Sequence, residues 1–130
     1  MMNKIIEHWH RYIQTLDPKI LDVLLDDEVV FYSPVVYSPQ KGKFLTTLYL
    51  LAASKVLSNN FKYVKEIVGE NQCMLEFECE IDGKYVNGVD IITINNHNKI
   101  TEFKVMVRPL KGVNAIHKEM ARMLGEMKPK

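Results

Sequence analysis

Hydrophobic and polar residues alternate along most of the second half of the chain, from Phe61 to Pro109. A period of two is typical of strands that bury one face. Turn-forming residues interrupt the alternation at Glu70-Asn71, at Asp82-Gly83 and from Asn95 to Asn98. The pattern therefore predicts four strands that form an antiparallel meander.

Apolar residues recur at helical spacing in the other parts of the chain. They predict an amphipathic helix over about residues 3–16, a third helix from Leu45 to Leu57 and a last helix from Val113 to Met127. Between the first and third helices, Asp17-Pro18 supplies an N-cap and a proline at the first helical position, which predicts a short second helix. The β-branched and aromatic segment from Glu28 to Ser33 predicts one more short strand.

The turns of the meander determine which residues of neighbouring strands face each other. Because Asp82-Gly83 is a two-residue turn, Leu75 should lie opposite Asp90. A four-residue turn over 95–98 should place Phe103 opposite Asp90 as well. Both registers give one apolar face across three strands, and Asp90 is the single carboxylate in its row of that face.

The opposite, outer face of the meander is polar and charged but includes a few apolar residues. It carries Glu76, Glu78, Glu80, Asn87, Glu102, Lys104 and Arg108, together with Val89, Ile91 and Met106. Such a composition suits either contact with solvent or a partly polar subunit interface. Because its apolar residues exceed what a fully solvated face requires, we expect a homodimer through the outer face.

Composition and charge exclude several classes of protein. The chain has 130 residues, of which 47% are hydrophobic and 25% charged, and this predicts a single domain over residues 1–130. The net charge is +1 and the 17 basic residues are scattered among 16 acidic ones, so neither nucleic acid nor an acidic membrane surface is expected as a partner. The N-terminal segment lacks the apolar run of a signal peptide, and no stretch approaches the ~20 apolar residues of a membrane span. We therefore expect a cytoplasmic protein.

Two cysteines occur in one predicted strand. Cys73 and Cys79 would lie roughly 20 Å apart at about 3.3 Å per residue, too far for a disulfide. They are expected to be reduced core residues.

The order of the predicted elements resembles that of the nuclear transport factor 2-like superfamily, which includes ketosteroid isomerase, limonene epoxide hydrolase and the SnoaL-type polyketide cyclases. The resemblance covers nearly the whole chain. Its most specific parts are the strings HRYIQTLDPKILDVLLDDEVVFYSPV and VNGVDIITINNHNKITEFKVMVRPL. It implies an α+β fold in which a cone-shaped, curved antiparallel sheet wraps around N-terminal helices.

The resemblance also implies candidate catalytic residues. Tyr12 falls where ketosteroid isomerase has the tyrosine that donates to the developing oxyanion, and Asp90 falls where that enzyme has the acid that donates beside it. Ser33 occupies the place of the general-base aspartate. This is a departure from the family pattern, because a serine hydroxyl cannot take a proton from carbon unaided.

A carboxylate on an apolar strand face is normally either hydrogen-bonded by a nearby hydroxyl or held protonated, because desolvation raises its pKa. A protonated Asp90 beside Tyr12 would place two donors at one ligand oxygen. Alternatively, Asp90 bonds Tyr12 or a helix-end amide and has a purely structural role. The residues expected to bind the ligand around this site are Trp9, Phe31, Ser33, Tyr49, Phe77 and Phe103, although aromatic residues at such spacing are also typical of plain core.

No metal or nucleotide cofactor is implied by the sequence. His8 and His10 are two residues apart on a helix and point to different sides, and no HExxH, CxxC, GxGxxG or P-loop string is present. The leading hypothesis is a pocket protein that binds a small apolar ligand through a carbonyl or hydroxyl group at Asp90 and Tyr12. Such a protein could be an isomerase, a cyclase, a hydrolase or a binder. The alternative is a non-catalytic homodimeric interaction module with a filled core.

Overall fold

The computed structural model of the protein describes residues 2–127. The helices are α1 (Met2–Thr15), α2 (Pro18–Leu24), α3 (Lys43–Val56) and α4 (Leu110–Met127). The strands are β1 (Leu25–Tyr32), β2 (Gln40–Lys41), β3 (Lys62–Val68), β4 (Gln72–Ile81), β5 (Lys84–Ile94) and β6 (Ile100–Arg108). All the helices and strands predicted from the sequence are therefore present, and the short β2 was not predicted.

Local sequence signals explain where α2 begins and ends. The carboxylate of Asp17 accepts a hydrogen bond of 3.0 Å from the backbone N–H of Lys19, and Pro18 is the first helical residue. This is the predicted N-cap arrangement. At the other end, Leu25 is already extended, so β1 begins there rather than at Glu28.

The six strands form one sheet in the order β2-β1-β6-β5-β4-β3. The meander from β3 to β6 is antiparallel, as predicted, whereas β1 pairs in parallel with β6. The sheet is therefore mixed, and its concave face covers the helices. The predicted fold class, an α+β fold with a curved sheet around N-terminal helices, is confirmed.

The register between β4 and β5 is the predicted one, with Leu75 opposite Asp90. The turn residues Asp82 and Gly83 have φ values of 51° and 73°, as a two-residue hairpin turn of this kind requires. The register between β5 and β6 was predicted wrongly. Asp90 lies opposite Val105 rather than Phe103, because the ladder is irregular between Thr93 and Ile94. The error is two residues, so every side chain keeps its predicted face.

The apolar side chains of the concave face and the helices form the core. It includes the largest fully buried side chains of the described residues: Tyr12, Phe31, Phe77, Phe103, Leu21, Leu24, Leu25, Leu75, Ile92 and Ile100. Cys73 and Cys79 are free and buried, as predicted. Within residues 2–127, none of the helices combines the length and the apolar character needed to cross a membrane.

Candidate functional site

A cavity of about 300 Å³ lies between the concave face of the sheet and the helices. Its walls include Asp90 and five of the six residues expected to bind a ligand: Trp9, Phe31, Ser33, Phe77 and Phe103. Tyr49, the sixth, is not part of the wall and packs against the ring of Phe31 at a centroid distance of 5.9 Å. Two of the lining residues, Gln14 and Ser58, are exposed and mark the mouth of the cavity.

Asp90 is only 6% exposed and ends a short chain of hydrogen bonds. The Tyr63 hydroxyl donates to Oδ2 of Asp90 at 2.5 Å, and Nε1 of Trp9 donates to the Tyr63 hydroxyl at 2.8 Å. The indole N–H of Trp9 can only donate, and the Tyr63 hydroxyl that accepts from it directs its own proton to Asp90. The other carboxyl oxygen, Oδ1, has no hydrogen-bond partner among residues 2–127.

Tyr63 therefore takes the place beside Asp90 that was expected for Tyr12. The Tyr12 hydroxyl instead lies 3.0 Å from Oγ of Ser54 and 3.4 Å from the carbonyl oxygen of Leu50. Tyr12 is fully buried, and Ser54 rather than Tyr12 forms the cavity wall. A role of Tyr12 at a ligand stays a prediction.

Burial controls the ionisation of this cluster. Desolvation raises the pKa of Asp90 to about 7, and the hydrogen bond from Tyr63 opposes this rise. Burial and the neighbouring Asp90 carboxyl raise the pKa of Tyr63 well above its usual value, so Tyr63 remains a donor. Burial also raises the pKa of the Cys73 thiol to about 12, which makes it a poor nucleophile at neutral pH.

An interaction at the edge of the sheet holds Tyr63 and Trp9 together. Nε2 of His10 lies 2.7 Å from Oε1 of Glu66, which ties α1 to β3. The rings of His10 and Tyr63 also pack in a T-shaped arrangement at a centroid distance of 5.3 Å. Consequently, the helix that supplies Trp9 and the strand that supplies Tyr63 are fixed relative to each other.

The arrangement limits the chemistry that the cavity can support. Among the lining residues that the structure describes, Asp90 is the one acidic group, and there is no lysine, arginine or histidine. Oγ of Ser33 accepts a hydrogen bond of 3.2 Å from the backbone N–H of Val35, which leaves the hydroxyl proton of Ser33 free to donate. Residues 2–127 contain no cluster of three or more His, Cys, Asp or Glu side chains suited to a metal ion. Asp90 is therefore the group that can exchange a proton with a bound molecule.

Sequence reasoning did not identify Tyr63 or Ser54. The register of β3 could not be assigned from its turn, so the face on which Tyr63 lies was unknown. Ser54 belongs to α3, where a serine at helical spacing gives no sign of its partners. Only Tyr63 could have been found from the sequence, because it is the tyrosine of β3, the strand that pairs with β4.

Comparison with known proteins supports the fold. No family model matches the sequence, and neither does any curated protein. The structure is similar to that of a steroid delta-isomerase from Pseudomonas aeruginosa, with a TM-score of 0.91 and 28% identity over 95% of this chain and 91% of that one. It is also similar to an uncharacterised protein with a cystatin-like fold from Silicibacter pomeroyi DSS-3, with a TM-score of 0.85 and 27% identity over 91% of this chain and 83% of that one.

A third similar structure is an NTF2-like protein of unknown function from Mesorhizobium loti. Its TM-score is 0.73 and its identity 19%, over 82% of this chain and 90% of that one. The chain therefore has the nuclear transport factor 2-like fold, as the resemblance in its sequence predicted.

Proposed function

We propose that the protein binds a small apolar molecule in this cavity and holds a carbonyl or hydroxyl oxygen of that molecule at Asp90. The observation that carries the proposal is a buried carboxyl group in the wall of an apolar cavity of about 300 Å³. One oxygen of the carboxyl is occupied by Tyr63, and the other lacks a partner among the described residues. This oxygen is not among the fully buried side-chain atoms without a partner, so it is accessible from the cavity, where a ligand oxygen is a suitable partner for it.

The size of the cavity supports this proposal against the alternative of a non-catalytic module with a filled core. Pockets for small ligands start at about 300 Å³ and are mostly apolar with a few polar groups. The aromatic residues Trp9, Phe31, Phe77 and Phe103 supply the apolar wall, and Ser33 and Asp90 supply polar groups. Below about pH 7, Asp90 is mostly protonated and its free oxygen can donate to a carbonyl group.

Catalysis at the same site is the second candidate function. A pKa of about 7 suits a general acid or base at neutral pH, and one similar structure is that of a steroid delta-isomerase. Ser33 stands where the resemblance implies the general base, so an isomerase, cyclase or hydrolase reaction in this chain would depend on Asp90 for proton transfer. Ligand binding without catalysis requires no proton transfer by Asp90, and we therefore propose binding as the first candidate function.

Identifying the small molecules that co-purify with the protein tests the proposal. Wild-type protein and Asp90→Leu are purified from the native host, and bound compounds are extracted and identified by mass spectrometry. We expect an apolar compound with a carbonyl or hydroxyl group in the wild type but not in Asp90→Leu. The control Asp27→Leu makes the same change at a side chain that is 93% exposed and should retain the compound. Failure to find such a compound, together with no binding of added 2-decanone, would refute the proposal.

We also propose that two copies of the protein associate through the outer face of the sheet. Ile67, Met74 and Met106 lie on this face and are 57%, 39% and 52% exposed. They lie beside Lys65 and Arg108 and the acidic Glu76, so charges of both signs surround the apolar patch. Patches of this composition are typical of subunit interfaces.

A further inference from the structure

The cavity has a further polar group on the wall formed by α3, away from the sheet. Ser54 lines the cavity, and its hydroxyl donates to the carbonyl oxygen of Leu50 at 2.7 Å. Since a serine hydroxyl has one proton, Ser54 has no further hydrogen to donate. The Tyr12 hydroxyl lies 3.0 Å from Oγ of Ser54 and 3.4 Å from the same carbonyl oxygen, so its proton is directed to the nearer oxygen, Oγ of Ser54.

One lone pair of the Ser54 oxygen therefore remains unused, because a hydroxyl oxygen can accept two hydrogen bonds. Tyr12 cannot use it, since it is already the donor to the same oxygen. No other described residue forms a hydrogen bond with Oγ of Ser54. The wall formed by α3 thus offers the cavity an acceptor, whereas the wall formed by the sheet offers the Asp90 carboxyl.

Helix α1 organises both polar groups. Trp9 and Tyr12 are three residues apart, so they lie on the same side of the helix, and their rings are in contact at a centroid distance of 5.1 Å. Trp9 donates toward Tyr63 and Asp90, while Tyr12 donates toward Ser54. The buried donors of Trp9 and Tyr12 are therefore both used within the protein, and they orient the hydroxyl of Tyr63 and the oxygen of Ser54.

We propose that Ser54 is a second binding residue, which accepts a hydrogen bond from a hydroxyl group of the ligand. Resting on the proposed function, this inference names the class of ligand: an apolar molecule with a hydrogen-bond acceptor at one end, for Asp90, and a donor at the other, for Ser54. A hydroxy ketone has this chemistry. A ketone without the hydroxyl would bind at Asp90 but leave the Ser54 acceptor unpaired.

Paired probes test the inference. We would titrate the protein with 2-alkanones of six to ten carbons and with the matching ω-hydroxy-2-alkanones, whose flexible chains let the hydroxyl reach Ser54 at any separation that they can span. For the hydroxy ketone of best-fitting length, Ser54→Ala should weaken binding about tenfold, the value of one hydrogen bond, and should leave the matching alkanone unchanged. Ser54→Thr, which keeps the hydroxyl, should restore the affinity.

Ser38→Ala is the control. Ser38 is exposed and does not belong to the cavity wall. This variant should bind both probes like the wild type.

Three results would overturn the inference. Equal affinities of wild type and Ser54→Ala for the hydroxy ketone would show that Ser54 accepts nothing from the ligand. If Ser54→Ala bound neither the alkanone nor the hydroxy ketone, Ser54 would have a structural role instead. In either case, binding of the alkanones that depends on Asp90 would leave the proposed function standing. If no probe binds the wild type, the proposed function fails, and this inference fails with it.

Discussion

Replacing Asp90 with asparagine should stabilise the protein at high pH and not at low pH. Asparagine keeps the size of the side chain and an oxygen that accepts from Tyr63, but it cannot ionise. Burial raises the pKa of Asp90 from 3.8 to about 7 in the folded protein. In the unfolded chain, the carboxyl should titrate near its ordinary value of ~3.9.

The sign of the effect follows from proton linkage. Below about pH 4 the carboxyl is protonated in both states and has no pH-dependent effect on stability. Between about pH 4 and 7 the unfolded state loses the proton while the folded state keeps it, so the wild type is destabilised as the pH rises. A shift of about 3 pKa units corresponds to about 4 kcal/mol, which is reached once the pH exceeds the folded-state pKa. Asp90→Asn should escape this loss.

Urea denaturation of both proteins from pH 4 to pH 8.5 measures the effect. The difference in unfolding free energy between Asp90→Asn and wild type should increase by about 4 kcal/mol over this range, whatever its value at pH 4. Asp27→Asn, at an exposed side chain, should follow the wild type throughout. A difference that does not vary with pH, or an Asp90 that titrates near 4 by carbon NMR, would refute the reasoning and with it the neutral donor in the cavity.

Three further predictions concern Tyr63, Gly88 and the outer face. Tyr63→Phe removes the hydrogen bond that stabilises ionised Asp90, so the pKa of the carboxyl should rise further by carbon NMR. Gly88→Ala would press a methyl group against the ring of Phe77 and to 2.8 Å from the carbonyl oxygen of Met106, and should cost about 1–3 kcal/mol in urea denaturation. Met106→Glu places a charge in the exposed apolar patch, and light scattering should then give the mass of a monomer instead of a dimer.

Each of these predictions has a control and a contrary outcome. Tyr85→Phe alters an exposed tyrosine that bonds Glu78 and should leave the pKa of Asp90 unchanged; equal shifts in both variants would contradict the role of Tyr63. Gly125→Ala lies in open space on α4 and should be stabilising by about 0.5–1 kcal/mol, so a similar loss in both glycine variants would contradict the packing argument. A wild-type protein that is already monomeric at micromolar concentration would contradict the dimer.

Much of the fold was predictable because short-range signals specify it. The Asp17-Pro18 pair determines the start of α2, and Asp82-Gly83 determines the register of the hairpin that carries Asp90. Where the turn was longer, at 95–98, the alternation gave the correct face but the wrong partner for Asp90. A period of two cannot detect a slip of two residues, since such a slip leaves every side chain on the same side of the sheet.

The partner of Asp90 was not predictable, because a bulge in β3 determines it. Tyr63 and Lys65 are two residues apart, so a regular strand would place both on one face. In the structure, Tyr63 lies opposite Phe77 and Lys65 opposite Glu76, which leaves Val64 without a partner in the ladder. This extra residue turns Tyr63 toward the cavity while Lys65 stays on the outer face. In an unbroken ladder continued from Lys65, Tyr63 would face Glu78 on the outer side, and Asp90 would lose its donor. The hydrogen bonding of the candidate site thus depends on Val64, the extra residue of the bulge, whose side chain is not part of the cavity wall.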